Sequence, residues 1–271
     1  MIGEALAWLA TPCARPWRRL GYLSESIAIL ARHRRHRAAW APHLAASRAA
    51  VEQAIAGGGR RALVFGSGAL LDLPLAALAA GFERVTLVDL VHPWPARLAA
   101  RRYANVALAV ADLSGIAGEI AAGRDPGAGG SSYGLDDPTV DLVVSLNLLS
   151  QLPIVPLAEL SRRGWNEAAQ DKLARRLIAG HLDHLRRFAC RVCLIADLER
   201  IVSGPDGTEI ARIDPLHGLG LPPPDREWLW PVAPLGEVAA GVAVTHRVGA
   251  WLGFAAGAQR QSPATMTGRG S

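Results

Sequence analysis

From residue 61 onward, short runs of apolar residues alternate with segments whose apolar positions recur at helical spacing. Runs of this length predict β-strands, and we place them at 62–65, 84–88, 106–110, 140–146 and 191–196. Helical patterns at 70–80 and 166–188 lie between strands, the second with apolar residues at Leu173, Leu177, Ile178, Leu182 and Leu185. Strands that alternate with helices predict an α/β fold, a Rossmann-like mostly parallel sheet with helices on both faces.

The rest of the chain divides around this body. Residues 22–56 are rich in helix formers and are followed by a run of three glycines, so we predict an N-terminal helical cap over 1–59. The Rossmann-like domain is predicted to extend over 60–254. Within it, 199–214 is expected to form a hairpin. Residues 255–271 are predicted to be a disordered tail.

Glycines and carboxylates cluster where the predicted strands end. The first strand ends in Gly66, Ser67 and Gly68, and a turn without Cβ atoms lets the backbone approach a ligand closely. Asp89 ends the second strand, where a carboxylate can accept both ribose hydroxyls of an adenosine ligand. Asp112 ends the third, where a carboxylate can receive the adenine amino group; the alternative for each carboxylate is a helix cap or a surface position. Because the carboxyl ends of parallel strands line one crevice, the series predicts a nucleotide site.

Together these motifs resemble those of class I S-adenosylmethionine-dependent methyltransferases, over about residues 60–200. The resemblance implies a methyltransferase with S-adenosylmethionine as its cofactor. It implies a glycine turn under the methionine part, Asp89 on the ribose, and Asp112 with its neighbour Leu113 near adenine. Asn147, at the end of the fourth strand, would then face both the methionine part and the methyl acceptor.

The chain departs from the family's pattern at several positions. The acidic residue usual two positions before the first glycine is replaced by Val64, and Ala69 and Leu70 stand in place of the third glycine. The methionine amino group must then be recognised elsewhere, by backbone carbonyls or by Asp72. The usual helix after the fifth strand is also hard to find, and we expect 242–254 to supply terminal antiparallel strands.

Two other interpretations of the glycine turn remain open. A nicotinamide-dependent dehydrogenase also uses a glycine turn and an acidic ribose ligand, but Leu71 stands where G-x-G-x-x-G needs a small residue. Because the body also lacks a Tyr-x-x-x-Lys pair, we favour methyl transfer and keep an NAD(P)-dependent oxidoreductase as a weaker alternative. The departure at Val64 leaves room for a non-catalytic cofactor- or partner-binding relative.

Candidate residues for chemistry and for the acceptor lie past the strand ends. If the acceptor must lose a proton, histidine is the natural base at neutral pH, which makes His92 a catalytic candidate beside Asn147. The alternative for His92 is to end the second strand. Aromatic rings can cover a flat or cationic acceptor, or can simply pack a loop. The candidate acceptor-binding residues are Ser150, Gln151, His217 and Trp228.

Positive charge is concentrated near the amino terminus. The chain carries a formal net charge of +5, and a basic block over 15–37 holds Arg15, Arg18, Arg19, Arg32, Arg34, Arg35 and Arg37. Such a block attracts an anionic substrate, nucleic acid or a membrane surface, or is a solvated helix face. Because no RNA-binding module is appended, we favour a small-molecule acceptor and keep an RNA methyltransferase as the alternative.

Two histidine pairs have a spacing that suits a metal ion. His33 and His36, and likewise His181 and His184, are three residues apart, so each pair can share one helix face. Both segments are rich in arginine, which favours a solvated face, and we predict no metal site.

Cysteine usage and hydropathy bear on the compartment. Cys190 and Cys193 form a C-x-x-C that we interpret as core cysteines at the start of a strand. There is no signal-peptide pattern, and no stretch reaches the ~18 apolar residues of a membrane span. We therefore expect a reduced, cytoplasmic enzyme that does not associate with membranes; nothing in the sequence predicts its oligomeric state.

Overall fold

The fold is described from a computed structural model, which covers residues 2–254 and the side chains of 6–254. The tail predicted at 255–271 lies outside the described residues. The helices are α1 Ile2–Ala10, α2 Arg15–Leu20, α3 Tyr22–Arg35, α4 Arg37–Ile55, α5 Leu75–Gly81, α6 Trp94–Ala100, α7 Ala117–Ala121, α8 Ile154–Arg162 and α9 Glu167–Arg186. The strands are β1 Gly59–Phe65, β2 Phe82–Asp89, β3 Val106–Val110, β4 Val140–Leu146, β5 Arg191–Ser203, β6 Glu209–Ile213, β7 Arg226–Ala233 and β8 Ala243–Trp251.

The strands form one mixed sheet in the order β3-β2-β1-β4-β5-β8-β7, with β6 paired to the far end of β5. The strands from β3 to β5 run parallel, and β8 is antiparallel to both β5 and β7. This confirms the predicted α/β, Rossmann-like, mostly parallel sheet. The strand order reverses between β1 and β4, and open sheets of this kind bind ligands beyond the carboxyl ends of the strands at that point.

The central strands are buried because helices cover both faces of the sheet. On one face, Val64 and Val144 pack in a cluster that includes residues of α4, α5 and β7. On the other face, Phe65 and Val143 pack against Ile178 of α9 and its neighbours. This arrangement explains why β1 and β4 read as nearly continuous apolar runs.

Helix α4, from the predicted cap, lies directly on the sheet. Its Trp40 donates a hydrogen bond from Nε1 to the backbone oxygen of Val232 at 3.2 Å and meets the Trp230 ring edge-to-face at 4.9 Å. Among the described residues no helix intervenes between β5 and β7, and α4 packs on β5 and β7. The division into a cap and a body at residue 59 stays a prediction.

Several predicted elements have different bounds in the structure. The helix predicted at 70–80 begins only at Leu75, because Leu70 has a positive φ of 61° and Pro74 disfavours helix just before it. The fifth strand extends to Ser203 and turns into β6, which confirms the hairpin. The segment 242–254 supplies the antiparallel β8, as predicted. Trp228, expected in a loop, lies instead in β7.

The histidines of α9 are buried, so their prediction as a solvated face is wrong. His181 lies 2.9 Å from the Ser145 hydroxyl, and His184 lies 3.0 Å from the Tyr133 backbone oxygen, in both cases through Nε2. Both rings pack against Phe65. Across the described residues no group of three or more metal-binding side chains is found.

The structure also bears on the predictions for the cysteines and for a membrane span. Cys193 is fully buried in β5, as predicted, and burial raises its pKa to about 12. Cys190 is half-buried, and burial raises the pKa of its thiol to about 11. In the range 2–254, no helix is long and apolar enough to cross a membrane.

Candidate functional site

The glycine turn after β1 lies where the strand order reverses. Gly66 and Gly68 have φ of 73° and 47°, a region that disfavours other residues. A Cβ on Gly66 would stand 2.8 Å from the Cβ of Leu148 and 3.0 Å from the backbone oxygen of Leu146. Ser67 is buried, and its hydroxyl has no hydrogen-bond partner among the described residues. The turn therefore brings bare backbone against the end of β4.

Asp89, at the end of β2, is bound to the glycine turn. Its Oδ2 accepts a hydrogen bond from the backbone nitrogen of Gly68 at 2.8 Å, and Oδ1 accepts one from Val91 at 3.3 Å. The loss of water around this carboxyl raises its pKa. The turn and the carboxylate, predicted separately from the sequence, thus form one unit at the edge of the sheet.

Asp112 caps the short helix that follows β3. Its Oδ1 accepts from the backbone nitrogen and the hydroxyl of Ser114, at 2.9 and 2.6 Å, and its Oδ2 accepts from the backbone nitrogen of Ala117 at 2.8 Å. This is the helix-cap alternative considered from the sequence. Leu113 is buried in the cluster around Phe65. A role for this pair near adenine stays a prediction.

The start of α3 packs on the loop that follows β2. Leu23 and Ile27 of this helix pack on Val91, just past β2, and Tyr22 lies against the same cluster. Burial raises the pKa of Tyr22, and the charges of Asp112 and Asp89 add to this effect. Tyr22 was not among the residues predicted for the site; an aromatic residue after the Gly21 break was the available signal.

His92 is buried between the ends of β2 and β3. Its Nε2 lies 2.9 Å from the backbone oxygen of Ala109, and its buried Nδ1 has no hydrogen-bond partner in the part of the chain that the structure describes. The ring thus ties the end of β2 to β3. This contact fits the alternative that His92 ends the second strand better than it fits a role as a base. A catalytic role for His92 stays a prediction.

Asn147 meets the segment after the glycine turn. It has a left-handed φ of 48°, and its backbone nitrogen donates to the Ile195 oxygen at 2.9 Å. Its Nδ2 donates to Oδ2 of Asp72 at 2.7 Å, while its buried Oδ1 has no hydrogen-bond partner within residues 2–254. Desolvation raises the pKa of Asp72. Arg48 of α4, the nearby cation, donates to the backbone oxygen of Leu71 instead.

Ser150 connects the loop after β4 to a carboxylate that the sequence analysis missed. Its hydroxyl donates to Oδ2 of Asp197 at 2.6 Å, and Oδ1 of Asp197 lies 3.1 Å from Nδ1 of His246. Asp197 and His246 come from β5 and β8, which pair antiparallel. Only that strand pairing brings them together, so no spacing in the sequence indicated the contact.

Trp228 belongs to an aromatic cluster beneath α4. Its Nε1 donates to Nδ1 of His43 at 2.9 Å, and the His43 ring stacks on Trp230 at 3.9 Å with an interplanar angle of 5°. Burial lowers the pKa of His43 to about 4, with Asp197 opposing this effect and His246 adding to it. The cluster therefore adjoins the Asp197 network.

The other two candidate acceptor residues lie elsewhere. Gln151 is exposed. His217, in the loop before β7, lies 2.6 Å from Oδ1 of Asp171 on α9 through Nδ1. The structure thus places Ser150 in the Asp197 network and Trp228 in the adjoining aromatic cluster, whereas Gln151 is exposed and His217 pairs with α9.

Part of the basic block is paired within the chain. Glu237, in the loop between β7 and β8, accepts hydrogen bonds from Arg32 and Arg35 and lies 2.7 Å from His36 Nε2. Arg35 and His36 lower the pKa of Glu237 to about 2, mainly through the hydrogen bond from Arg35. The contacts fasten the β7–β8 loop to the corner between α3 and α4.

A surface cleft of about 1060 Å³ opens at the opposite edge of the sheet. Its lining includes Gly59, Val140 and Arg191, the first residues of β1, β4 and β5. Because these are the amino ends of parallel strands, the length of the strands separates the cleft from the glycine turn and from Asp89.

Comparisons with known proteins find structural likenesses but no related sequence. No family model matches the sequence, and no curated protein matches it with significant similarity. Among solved structures, the chain is similar to the 1,6-didemethyltoxoflavin-N1-methyltransferase of Burkholderia thailandensis, which was solved with bound 1,6-didemethyltoxoflavin and S-adenosylhomocysteine. The identity is 18%, the TM-score is 0.40, and the match covers 89% of this chain and 92% of the other.

Proposed function

We propose that the chain binds S-adenosylmethionine at the carboxyl edge of β1, β2 and β4 and transfers its methyl group to a small-molecule acceptor. The observation that carries this proposal is the hydrogen bond of 2.8 Å between the Gly68 backbone nitrogen and Asp89. It joins a turn open to a ligand to a carboxylate suited to ribose hydroxyls, at the point where open α/β sheets bind ligands.

The chain's own groups fit the parts of this cofactor. Asp89 is the proposed ribose ligand, and the bare backbone of Gly66 and Gly68 is the proposed floor under the methionine part. Val64 stands where the family usually has an acidic residue, and we propose that Asp72 and Asn147 take over the role of that residue. The Asp72 carboxylate and the unpartnered Asn147 oxygen are two acceptors for an ammonium group. Because desolvation raises the pKa of Asp72, a bound cation would stabilise the charged form of this carboxylate.

The chemistry places modest demands on the protein. When bound, S-adenosylmethionine supplies a methyl group activated on a sulfonium. The protein then has to align the acceptor and exclude water, which can account for much of the rate. Helix α3, whose Leu23 and Ile27 pack on Val91 just past Asp89, is suited to exclude water from the cofactor.

The proposed acceptor is a small molecule. The ion pairs of Glu237 neutralise part of the basic block, which weakens the argument for a polyanionic partner. The RNA alternative predicts salt-sensitive RNA binding that weakens when arginines of the block are changed. A cytoplasmic location remains a prediction from cysteine usage.

The test is calorimetric titration of the purified chain with S-adenosylmethionine, S-adenosylhomocysteine and NADH in parallel. The proposal predicts micromolar binding of the two sulfur nucleosides and none of NADH. Binding of NADH alone would contradict it in favour of an oxidoreductase. Binding of the sulfur nucleosides without turnover in a broad acceptor screen would favour the non-catalytic alternative.

A further inference from the structure

A polar network lies past the carboxyl end of β4, on the sheet face that α4 covers. Asp197 is 3% exposed, and its Oδ2 accepts the Ser150 hydrogen bond at 2.6 Å. Its Oδ1 lies 3.1 Å from Nδ1 of His246, although neither atom has an aligned hydrogen-bond partner. The contact therefore places a buried carboxylate beside an imidazole nitrogen.

The imidazole of this pair is reachable, whereas the carboxylate is not. The His246 side chain is 17% exposed and the Asp197 side chain 4%. A carboxylate next to Nδ1 favours the tautomer with its proton on that atom, which leaves Nε2 as a proton acceptor. Ser150 is three residues past Asn147, so the pair adjoins the proposed cofactor crevice.

The groups around His246 single it out as the proton acceptor. Asp197 on β5 supplies the negative charge, and the exposed Arg200 stands opposite His246 in the strand register. His43, on α4, uses Nδ1 to accept from Trp228, and burial keeps its pKa near 4, so it stays neutral at physiological pH. His246 is thus the histidine of this cluster that has both a counter-charge and access.

The neighbouring rings indicate the shape of the ligand. The Trp230 ring meets His246 at 5.6 Å with an interplanar angle of 77°, and the half-buried Trp228 borders the same cluster. Because His43 stacks on Trp230, the half-buried Trp228 provides the flat apolar surface of this cluster, and such a surface near a proton acceptor suits a flat ring that carries an ionisable group.

We propose that His246, positioned by Asp197, accepts the proton of the methyl acceptor, and that this acceptor is a small planar ring bearing an ionisable hydroxyl group. The inference rests on the proposed function. The hydroxyl proton moves to Nε2 of His246, and an oxygen electron pair forms the new bond to the methyl carbon. The carbon–sulfur bond breaks with its electrons left on sulfur, and the imidazolium later returns its proton to water.

The experiment uses 4-nitrophenol as a probe, because its phenolate absorbs where the phenol does not. The full chain, saturated with S-adenosylhomocysteine, is titrated with the probe at a pH where the free probe is mostly protonated. The wild-type protein is expected to produce bound nitrophenolate. His246→Gln should remove this ionisation, and Asp197→Asn should shift its midpoint by about one pH unit or more toward alkaline pH.

The controls separate this role from a structural one. Asp206→Asn, an exposed carboxylate in the β5–β6 turn, should leave the nitrophenolate signal unchanged. All variants should bind S-adenosylhomocysteine as the wild type does, measured by calorimetry. No nitrophenolate with the wild type, or an equal signal from His246→Gln, would overturn the inference while leaving the proposed function intact. Failure of the wild type to bind S-adenosylhomocysteine would instead overturn the proposed function.

Discussion

At the scale of single residues, two carboxylates define the proposed cofactor site. Asp89 is held by backbone donors of the glycine turn and of its own loop, so its oxygens are oriented before any ligand arrives. Asp72 is oriented by one amide, Asn147, whose own oxygen remains unpartnered. Preorganised acceptors of this kind lose little entropy on binding. The two carboxylates should therefore contribute to different parts of one ligand.

Asp89→Ala should weaken the binding of S-adenosylhomocysteine by about 2 kcal/mol, roughly 30-fold, because a bidentate charged acceptor for the ribose is lost. Calorimetry measures the effect, and circular dichroism checks that the fold is intact. An unchanged affinity in a folded variant would exclude Asp89 as the ribose ligand.

Asp72→Asn should discriminate between two related ligands. Binding of S-adenosylhomocysteine is expected to weaken about 10- to 100-fold, because an ammonium group loses its charged acceptor. Binding of 5′-methylthioadenosine, which has no amino acid part, should not change. Asp171→Asn on the exposed side of α9 serves as the control. Equal losses for both ligands would mean that Asp72 shapes the crevice rather than binding the ammonium group.

At the scale of elements, α9 contributes to the dependence of stability on pH. His181 is fully buried, and desolvation lowers its pKa to about 3. The unfolded chain takes up a proton at this site below about pH 6.5, whereas the folded chain does not. The contribution of His181 to the free energy of unfolding is therefore complete above about pH 6.5. It is lost as the pH falls toward the pKa of about 3 in the folded chain.

His181→Gln should flatten this dependence, because glutamine keeps a hydrogen-bonding group but does not titrate. Between pH 6.5 and pH 5, the wild type should lose about 2 kcal/mol more unfolding free energy than the variant. Urea denaturation at the two pH values measures the difference, and His217→Gln in a surface loop is the control. Parallel losses in wild type and His181→Gln would show that His181 is not the titrating group.

The corner between α3 and α4 is fastened to the β7–β8 loop by Glu237. Glu237→Gln should lower the unfolding free energy at pH 7 by about 1 kcal/mol and accelerate hydrogen exchange in the loop, because a charged acceptor shared by three basic groups is lost. Glu227→Gln, which removes a more exposed pair with Arg247, should have a smaller effect. A larger loss from Glu227→Gln would contradict this ranking.

For the molecule as a whole, the features predicted correctly from the sequence are those that local patterns encode. The apolar runs of β1 to β5 and the glycine turn follow from periodicity and turn chemistry, and the contact between Gly68 and Asp89 follows from parallel strands ending together. Long-range packing was the missing information. The arginine-rich α9 suggested exposed histidines, but one face of that helix is pressed against Phe65. The pairing of β5 with β8 brings Asp197 to His246 across 49 residues, and no local pattern specifies it.

A crystal structure of the chain with S-adenosylhomocysteine would show directly whether the proposed site binds the cofactor. We predict the ligand at the carboxyl edge of β1 and β2, with the ribose hydroxyls on Asp89 and the amino group at Asp72 and Asn147. A ligand bound in the cleft at the opposite edge, or one whose ribose does not contact Asp89, would exclude the proposed site.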